Sequence, residues 1–286
     1  MRIAVLPPAT GPGRRRLARA IGAQNVLSAN ELGARLDERV RATLERERPD
    51  LVVSWFWTRR LSKAVLARAR FGGIGAHPSL LPRHRGPDPY FWSIDSGDLE
   101  TGVTIHRLTE RYDDGAVLAS SRLAIGDRDA WQLARALDRP SLALLRAAVR
   151  SFESGTPPGG VAQDEARATL APEPSGDELR VDFRWPTERA LRRVRALAPV
   201  PGVPLSIEGL ELVVTRARVA ETFPQALEPG EAAVVGEPKV LVLRTGDGAL
   251  AVTRAFFDLE THGIPLSGGE TAELVERHLA RLRAGM

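Results

Sequence analysis

The sequence predicts an α/β protein in which an open, mostly parallel sheet covered by helices is followed by a smaller antiparallel barrel. In the first half, apolar runs alternate with stretches of helical spacing, as in the strand–helix units of a parallel sheet. From Leu179 the pattern changes to short alternating runs separated by glycine or proline, which is typical of antiparallel strands. Between the halves, segment 154–160 is rich in glycine and proline. We therefore expect a sheet domain at 1–155, a linker at 156–178 and a barrel domain with a terminal helix at 179–286.

Each predicted element follows from an apolar run or from an amphipathic stretch with a boundary residue. In chain order they are a strand at 2–6, a helix opening at 11–13, a helix from Asn30 through Glu47, a buried strand at 51–57, a helix at 61–70, a strand ending near His77, a strand at 116–125, helices at 129–152 and 187–198, short strands around Leu205, Leu212, Val234, Val240 and Leu250, and a final helix at 270–283. Sheets of this kind bind ligands beyond the carboxyl ends of their strands, so we expect a functional site near His77.

Composition excludes several classes of function. The 286 residues include no cysteine, which excludes disulfides, thiolate zinc sites and a cysteine nucleophile. No set of His, Asp and Glu has metal-ligand spacing, so no metal is predicted. No stretch approaches the roughly eighteen apolar residues of a membrane span, so we expect a cytoplasmic protein with no membrane partner. A net charge of +4 is small for a nucleic-acid-binding protein, and the arginines of 189–195 are only a weak indication of phosphate contacts.

Two neighbouring blocks are the most distinctive part of the chain. The first is Phe71-Gly-Gly-Ile-Gly-Ala-His-Pro-Ser-Leu-Leu-Pro-Arg-His-Arg-Gly-Pro87. The second is Glu100-Thr-Gly-Val-Thr-Ile-His-Arg-Leu-Thr-Glu-Arg-Tyr-Asp-Asp-Gly115. A lone histidine at the end of a strand is usually held by backbone bonds. His77 differs from that case in lying at a strand end of a sheet whose strand ends are expected to bind ligands.

The blocks resemble the signature of the 10-formyltetrahydrofolate-dependent formyltransferases, in which His-Pro-Ser-Leu-Leu-Pro, Arg-Gly, Glu-Thr-Gly-Val-Thr and an Asp-x-Gly loop follow one another. The resemblance is strongest over 50–125 and fainter after Pro172. It implies a Rossmann-like catalytic domain followed by a barrel similar to an OB-fold. It also implies an enzyme that moves a formyl group from 10-formyltetrahydrofolate to a primary amine.

Within that family, three segments are most similar to the sugar-nucleotide N-formyltransferases, such as the UDP-aminoarabinose enzyme; they are 56–61, 103–108 and 111–117. The resemblance therefore implies a small amine acceptor, most plainly a nucleotide-linked amino sugar, and a homodimer in the manner of those enzymes. Methionyl-tRNA formyltransferases usually carry a second strand and a basic, glycine-rich loop near the N-terminus, and segment 20–27 leaves no room for both. A tRNA acceptor is accordingly the less favoured alternative.

The expected chemistry assigns roles to two side chains. Formyl transfer needs a deprotonated amine, stabilisation of a developing oxyanion and a proton for the departing nitrogen. His77 suits the proton transfers because an ordinary imidazole has a pKa of about 6.5. The resemblance places the catalytic aspartate at Asp113, which would orient the imidazole and stabilise its charged form. Asp114 stays open as the alternative carboxylate.

Gly75 is the one departure from the signature, because the resembling enzymes have asparagine there. That asparagine is thought to donate a hydrogen bond to the formyl oxygen, and losing such a donor typically costs about 10² to 10³ in rate. Ser54, Thr58 or Arg59 could replace it, as could a bound water. Alternatively, the reaction is slower, or the fold is degenerate and binds a ligand or partner without turnover.

The remaining predictions concern ligand contacts. The resemblance places the folate against residues 56–61 and the Asp113 loop, with Phe56, Arg59, Leu61 and Asp113 as contacts. For the acceptor, the candidate residues are Gly75, Ser79, Arg83 and Arg85. Ser79 lacks a nucleophile elbow and is expected to be a hydrogen-bonding turn residue. His84 and His106 are expected to be surface or strand residues.

Overall fold

The chain forms two compact units that are each built from more than one segment. The computed structural model describes residues 1–6, 12–21, 25–26, 36–57, 60–257 and 263–285. The first unit comprises 1–93, 99–126 and 133–173, and the second comprises 94–98, 127–132 and 174–286. The domain and linker bounds expected from the sequence stay a prediction.

The first unit is built around a six-stranded mixed sheet. Its strands, in spatial order, are β2 (Asn25–Val26), β1 (Ile3–Leu6), β3 (Leu51–Trp55), β4 (Gly73–His77), β5 (Glu100–Arg107) and β6 (Val117–Ala124). The first four are mutually parallel. Strand β5 is antiparallel to both of its neighbours, β4 and β6. Every residue of β3 is buried, because this strand lies between β1 and β4. This explains why its sequence is nearly continuously apolar.

Helices connect and cover these strands. They are α1 (Pro12–Ile21), α2 (Leu36–Glu47), α3 (Lys63–Leu66), α4 (Pro89–Asp95) and α5 (Ala130–Glu153). The buried stripe of α5 includes Leu133, Leu137 and Leu145, at the spacing expected from the sequence. Helix α3 is shorter than predicted and ends in turns after Leu66.

The second unit contains an antiparallel sheet and two helices. Its elements are α6 (Thr187–Leu197), β7 (Val203–Ile207), β8 (Leu210–Val219), β9 (Ala232–Val235), β10 (Val240–Arg244), β11 (Ala249–Phe257), β12 (Ile264–Ser267) and α7 (Gly268–Arg283). The spatial order is β7-β8-β11-β10-β9, with β12 also paired to β11. Strand β7 alternates between buried and exposed residues, as expected of a sheet with one solvated face. The predicted fold class, a Rossmann-like, mostly parallel sheet followed by a small antiparallel barrel, is confirmed, and the second sheet has the form of a half-barrel.

Across the described ranges, no helix combines the length and apolar character needed to cross a bilayer.

Candidate active site

A cavity opens where β3 and β4 end, the place at which open α/β sheets bind ligands. The space inside it is about 930 Å³, a volume that includes open solvent. The ends of the two strands, the neighbouring part of β5 and the loop that follows β5 supply its walls. Residues from these elements include Ser54, Phe56, Gly75, His77, His106 and Asp113.

Two histidines and one carboxylate form the polar centre of the cavity. Nδ1 of His77 lies 3.4 Å from Oδ2 of Asp113. Nε2 of His106 lies 3.4 Å from Oδ1 of the same carboxylate. The two imidazole rings are perpendicular, with centroids 6.4 Å apart. Asp113 therefore lies between two histidines, each facing one of its oxygens.

Backbone carbonyls hold the other nitrogen of each ring. Nε2 of His77 donates to the carbonyl oxygen of His84 at 2.7 Å. Nδ1 of His106 donates to the carbonyl oxygen of Arg107 at 2.9 Å. Because a carbonyl only accepts, these nitrogens carry hydrogen, and in the neutral rings the nitrogens facing Asp113 are the basic ones. A proton arriving in the site is therefore taken up next to the carboxylate.

The backbone around Asp113 fixes the direction of its side chain. Asp113 has a φ of 54°, an uncommon conformation for a residue with a side chain. The amide of Gly86 donates to Oδ2 at 2.9 Å. The side-chain nitrogen of Gln163 donates to the carbonyls of Asp113 and Gly115 on either side of the turn. The loop is thus held from both its side chain and its main chain.

Asp114 points to different partners. It accepts hydrogen bonds from the Thr109 hydroxyl and from Nε of Arg111. The geometry therefore places Asp113, and not Asp114, beside His77.

Burial dominates the pKa of His77. Removal from water lowers the pKa of the ring, and the opposing charge of Asp113 reduces this shift without reversing it. For Asp113, burial raises the pKa, but His77, His106 and the Gly86 amide together outweigh it and lower the pKa to about 2. At neutral pH the site therefore holds an ionised carboxylate beside an uncharged His77.

The residues predicted to contact the folate occupy different positions relative to the cavity. Phe56 and Leu61 line it together with Asp113, and Phe56 is 37% exposed with a φ of 56°. Arg59, with Thr58, lies outside the described residues. The predicted folate contacts remain predictions. The proposed site includes the three that line the cavity, Phe56, Leu61 and Asp113.

Among the residues predicted to bind the acceptor, Gly75 lines the cavity and three others do not. Ser79 is fully buried, and its hydroxyl donates to the carbonyl of Arg83, as expected of a turn residue. Arg85 is buried and donates to Gln163 and Glu165. Arg83 is exposed. The proposed site therefore excludes Ser79, Arg83 and Arg85. Arg85 instead supports Gln163, which holds the Asp113 loop.

His106 is the residue that the sequence analysis missed. It belongs to a strand, as expected, but it is only 3% exposed and its ring edge faces the cavity. It lies opposite Gly75 in the antiparallel pairing of β4 and β5. The β5–β6 pairing is irregular between Ile105 and His106, and such irregularities often redirect a side chain near a site. Only the register of β5 would have revealed this position.

Two buried polar groups at the cavity were also missed. The indole nitrogen of Trp57 and the hydroxyl of Tyr90 belong to lining residues, and neither has a hydrogen-bond partner among the described residues. Buried polar groups normally find partners, so these atoms are suited to bind polar atoms of a ligand. No group of three His, Asp or Glu side chains in the described ranges has the arrangement of a metal site.

The arginine run of 189–195 in the second unit has mostly structural contacts. Arg189 lies over the ring of Trp185, and Arg193 pairs with Asp95. Arg195 donates to the carbonyl of Arg128. This run therefore adds nothing to the weak indication of phosphate binding.

Comparison with known proteins identifies the family. The sequence model described as "Formyl transferase" matches residues 3–145, and that of the "Formyl transferase, C-terminal domain" matches residues 175–258. A methionyl-tRNA formyltransferase from Anaeromyxobacter dehalogenans is 38% identical over 220 residues, which cover 76% of this chain and 70% of that protein. The chain therefore belongs to the formyl transferase family, and the predicted class of enzyme, a formyltransferase, is confirmed.

Solved structures share the fold. HypX from Aquifex aeolicus, crystallised in complex with tetrahydrofolic acid, aligns with a TM-score of 0.70 over 95% of this chain and 46% of HypX, at 23% identity. The N-formyltransferase from Helicobacter canadensis, in complex with folinic acid and dTDP-3-aminofucose, aligns with a TM-score of 0.65 over 88% of this chain and 98% of that enzyme, at 13% identity. At these identities the likeness concerns the fold alone.

Proposed function

We propose that this protein transfers a formyl group from a formylated tetrahydrofolate to a primary amine. The observation that carries the proposal is the buried His77–Asp113 pair inside the cavity at the carboxyl ends of β3 and β4. An uncharged imidazole beside an ionised carboxylate is a general base with a counter-ion for its protonated form.

The steps of the transfer follow from this pair. When the amine nitrogen attacks the formyl carbon, a C–N bond forms and the carbonyl electron pair moves to oxygen. Nδ1 of His77 takes the amine proton, and Asp113, 3.4 Å away, stabilises the imidazolium. The electron pair on oxygen then re-forms the C=O bond, the bond between the formyl carbon and N10 of the folate breaks with its electron pair going to N10, and His77 returns the proton to N10. Proton and electron pairs balance without a metal or redox partner.

The formyl donor is a formylated tetrahydrofolate, as the motifs predicted, and it is a substrate rather than a resident cofactor. The lining residues suit such a molecule, because the ring of Phe56 and the side chain of Leu61 offer apolar contact. The Trp57 indole nitrogen and the Tyr90 hydroxyl, buried and unpaired among the described residues, suit the polar edge of a pterin.

For the acceptor, the first candidate is the amino group of a nucleotide-linked sugar. The segments 56–61, 103–108 and 111–117 favour it. The N-terminal region no longer does, because β2 (Asn25–Val26) pairs with β1 in the segment that was expected to lack a further strand and its loop. An enzyme of the same fold was crystallised with dTDP-3-aminofucose. His106 belongs to one of these segments and reaches the cavity.

Methionyl-tRNA is the second candidate, and the sequence analysis placed it too low. Curated relatives at 38% and 37% identity, from Anaeromyxobacter dehalogenans and Halorhodospira halophila, are methionyl-tRNA formyltransferases. This observation supports methionyl-tRNA about as well as the observations above support an amino sugar.

One experiment tests both the reaction and the acceptor. The protein is incubated with 10-formyltetrahydrofolate and, in separate reactions, with UDP- or dTDP-linked amino sugars and with methionyl-tRNA. Release of tetrahydrofolate and formylation of the acceptor are followed together. His77→Ala is the inactive variant, and His278→Ala, a substitution of the same kind on α7, is the matched control.

Formylation of either acceptor that His77→Ala abolishes and His278→Ala retains would support the proposal and identify the acceptor. Folate binding without transfer to any amine would instead indicate the degenerate, ligand-binding alternative.

A further inference from the structure

We propose that His106, which lies beside Gly75, provides the hydrogen bond to the formyl oxygen for which the resembling enzymes use asparagine. This inference rests on the proposed function and names a further catalytic residue for it.

The pairing of the strands brings His106 beside Gly75. Gly75 is paired with Ser54 of β3 on one side and with His106 of β5 on the other. A Cβ atom placed on Gly75 would lie 3.3 Å from Nε2 of His106 and 2.9 Å from Cδ2 of Leu108. Leu108 and the edge of the imidazole therefore both border the place where the Cβ of an asparagine would lie.

Nε2 of His106 can act as a donor in one form of the ring. Nδ1 already donates to the Arg107 carbonyl, so Nε2 donates as well when the ring is an imidazolium. Asp113 is then its counter-ion, at 3.4 Å. That separation is longer than a good hydrogen bond, so the N–H is not committed to Asp113 and can donate to a ligand oxygen. A hydrogen bond from a charged donor is stronger than one from an amide, which suits an oxygen that gains negative charge.

Other candidates fit less well. Leu108 borders the same place, but its side chain has no polar atom. Ser54 also borders the cavity, yet the three atoms nearest to a Cβ on Gly75 belong to Leu108 and His106. Thr58 and Arg59 lie outside the described residues. Nε2 of His106 is thus the nearest polar atom to the place of that Cβ.

The role is electrostatic and separate from that of His77. The amine proton goes to Nδ1 of His77, while Nε2–H of His106 stabilises the oxygen as it gains the carbonyl electron pair. No proton leaves His106 during the step. Removal of one such donor typically lowers kcat by about 10² to 10³.

The test uses a pair of probes that differ only in the formyl group, 10-formylfolic acid and folic acid, and needs no acceptor. Calorimetric titration gives the ratio of the two dissociation constants for each variant. We expect the wild type to bind the formylated probe about 10-fold more tightly, the effect of one charge-assisted hydrogen bond. His106→Ala should bind both probes alike, at the affinity that the wild type has for folic acid. His278→Ala should keep the wild-type ratio.

Two further variants keep the test decisive. His106→Gln retains a neutral donor and should keep part of the preference, and it also serves if the alanine variant does not fold. In Gly75→Asn/His106→Ala the imidazole is gone and the asparagine meets only the flexible end of the Leu108 side chain, so the preference should return. In Gly75→Asn alone, the asparagine meets Leu108 and the imidazole, so the preference should fall.

The outcomes separate this inference from the proposed function. If the folded wild type binds neither probe, the proposed function fails and the inference fails with it. If the wild type prefers the formylated probe and His106→Ala keeps that preference, only the inference is overturned. Loss of the preference in Ser54→Ala but not in His106→Ala would likewise overturn it and assign the donor to Ser54.

Discussion

At the residue level, His77 is subject to two opposing effects. Burial lowers its pKa, and the nearby charge of Asp113 opposes that shift. Because burial is the larger effect, the ring is uncharged at neutral pH and can accept a proton from an amine. Asp113 is ionised and ready to stabilise the charge that results. A buried base with a fixed counter-ion is the arrangement that the transfer requires.

The lowered pKa of His77 predicts a pH profile. kcat/KM should stay level down to pH values below 6.5, the ordinary pKa of histidine, and fall only under more acidic conditions. His77→Ala should reduce kcat by about 10² to 10⁴, the usual worth of general base catalysis. The profile is measured with whichever acceptor proves active. An acidic limb above pH 6.5 would contradict the lowered pKa.

The same shift predicts a pH dependence of stability. The pKa of His77 is lower in the folded state than in the unfolded chain, so the unfolded state binds the proton first as pH falls. The free energy of unfolding should therefore decrease below about pH 6.5, by up to about 1.4 kcal/mol per pH unit. His77→Gln, uncharged in both states, should lose less stability over pH 6.5 to 5 in denaturant titrations.

Asp113 acts in a lower pH window. Its folded-state pKa of about 2 lies below the ordinary value, so it stabilises the fold above about pH 4 and loses that contribution as pH falls towards 2.

The His77 prediction has a contradicting outcome of its own. If the free energy of unfolding of wild type and of His77→Gln falls equally between pH 6.5 and 5, His77 does not have the lowered pKa.

At the element level, the loop after β5 depends on Gly115. A Cβ atom there would lie 1.9 Å from the carbonyl oxygen of Arg107, which is main chain and cannot give way. The close approach brings the loop back along the strand and places Asp113 between the two histidines.

Gly115→Ala should therefore displace Asp113. A misplacement of about 1 Å can cost roughly 10² in rate, so we expect a loss of that order in formyl transfer. Gly159→Ala is the matched control, because a Cβ there has no neighbour within 4 Å. Full activity of Gly115→Ala would show that the position of Asp113 matters little.

Part of this element-level arrangement could be predicted from the sequence. The strand ending at His77 and the loop carrying Asp113 followed from local motifs. The position of His106 did not, because it depends on which residue of β5 lies opposite Gly75, and that register is set by pairing between strands. A sequence pattern with a period of two gives the faces of a strand but not its neighbour's register.

At the level of the whole molecule, two short segments, 94–98 and 127–132, belong to the second unit although most of that unit lies after residue 173. Residues 94–98 are part of the second unit, where Asp95 pairs with Arg193 of α6 through two hydrogen bonds of 2.6 and 2.9 Å. Arg193 also donates to the carbonyls of Asp177, Glu178 and Arg180. One buried guanidinium thus joins segments almost a hundred residues apart.

Arg193→Ala should strongly destabilise the protein. It leaves the nearly buried Asp95 carboxylate without its partner, and breaking such a pair typically costs about 3 to 5 kcal/mol. Chemical denaturation followed by circular dichroism measures this loss. Arg184→Ala, which removes a solvent-exposed pair with Asp182, is the control and should have little effect. Similar stabilities for the two variants would contradict a structural role for Arg193.

The fold class was predictable because it depends on patterns spread over the whole chain, such as alternating strands and helices before 155 and short strands after 179. The assignment of 94–98 and 127–132 to the second unit was not, because it rests on contacts such as Arg193 with Asp95 that no local pattern encodes.

Calorimetric titration with 10-formylfolic acid tests the central claim most directly, that the cavity holding His77 and Asp113 is the formyl-donor site. We expect wild-type protein to bind with micromolar affinity, about −8 kcal/mol, and His77→Ala to retain most of it. Asp113→Ala should bind far more weakly, because it alters the loop that borders the cavity. Absence of binding by a well-folded wild-type sample, or full affinity in Asp113→Ala, would contradict the account.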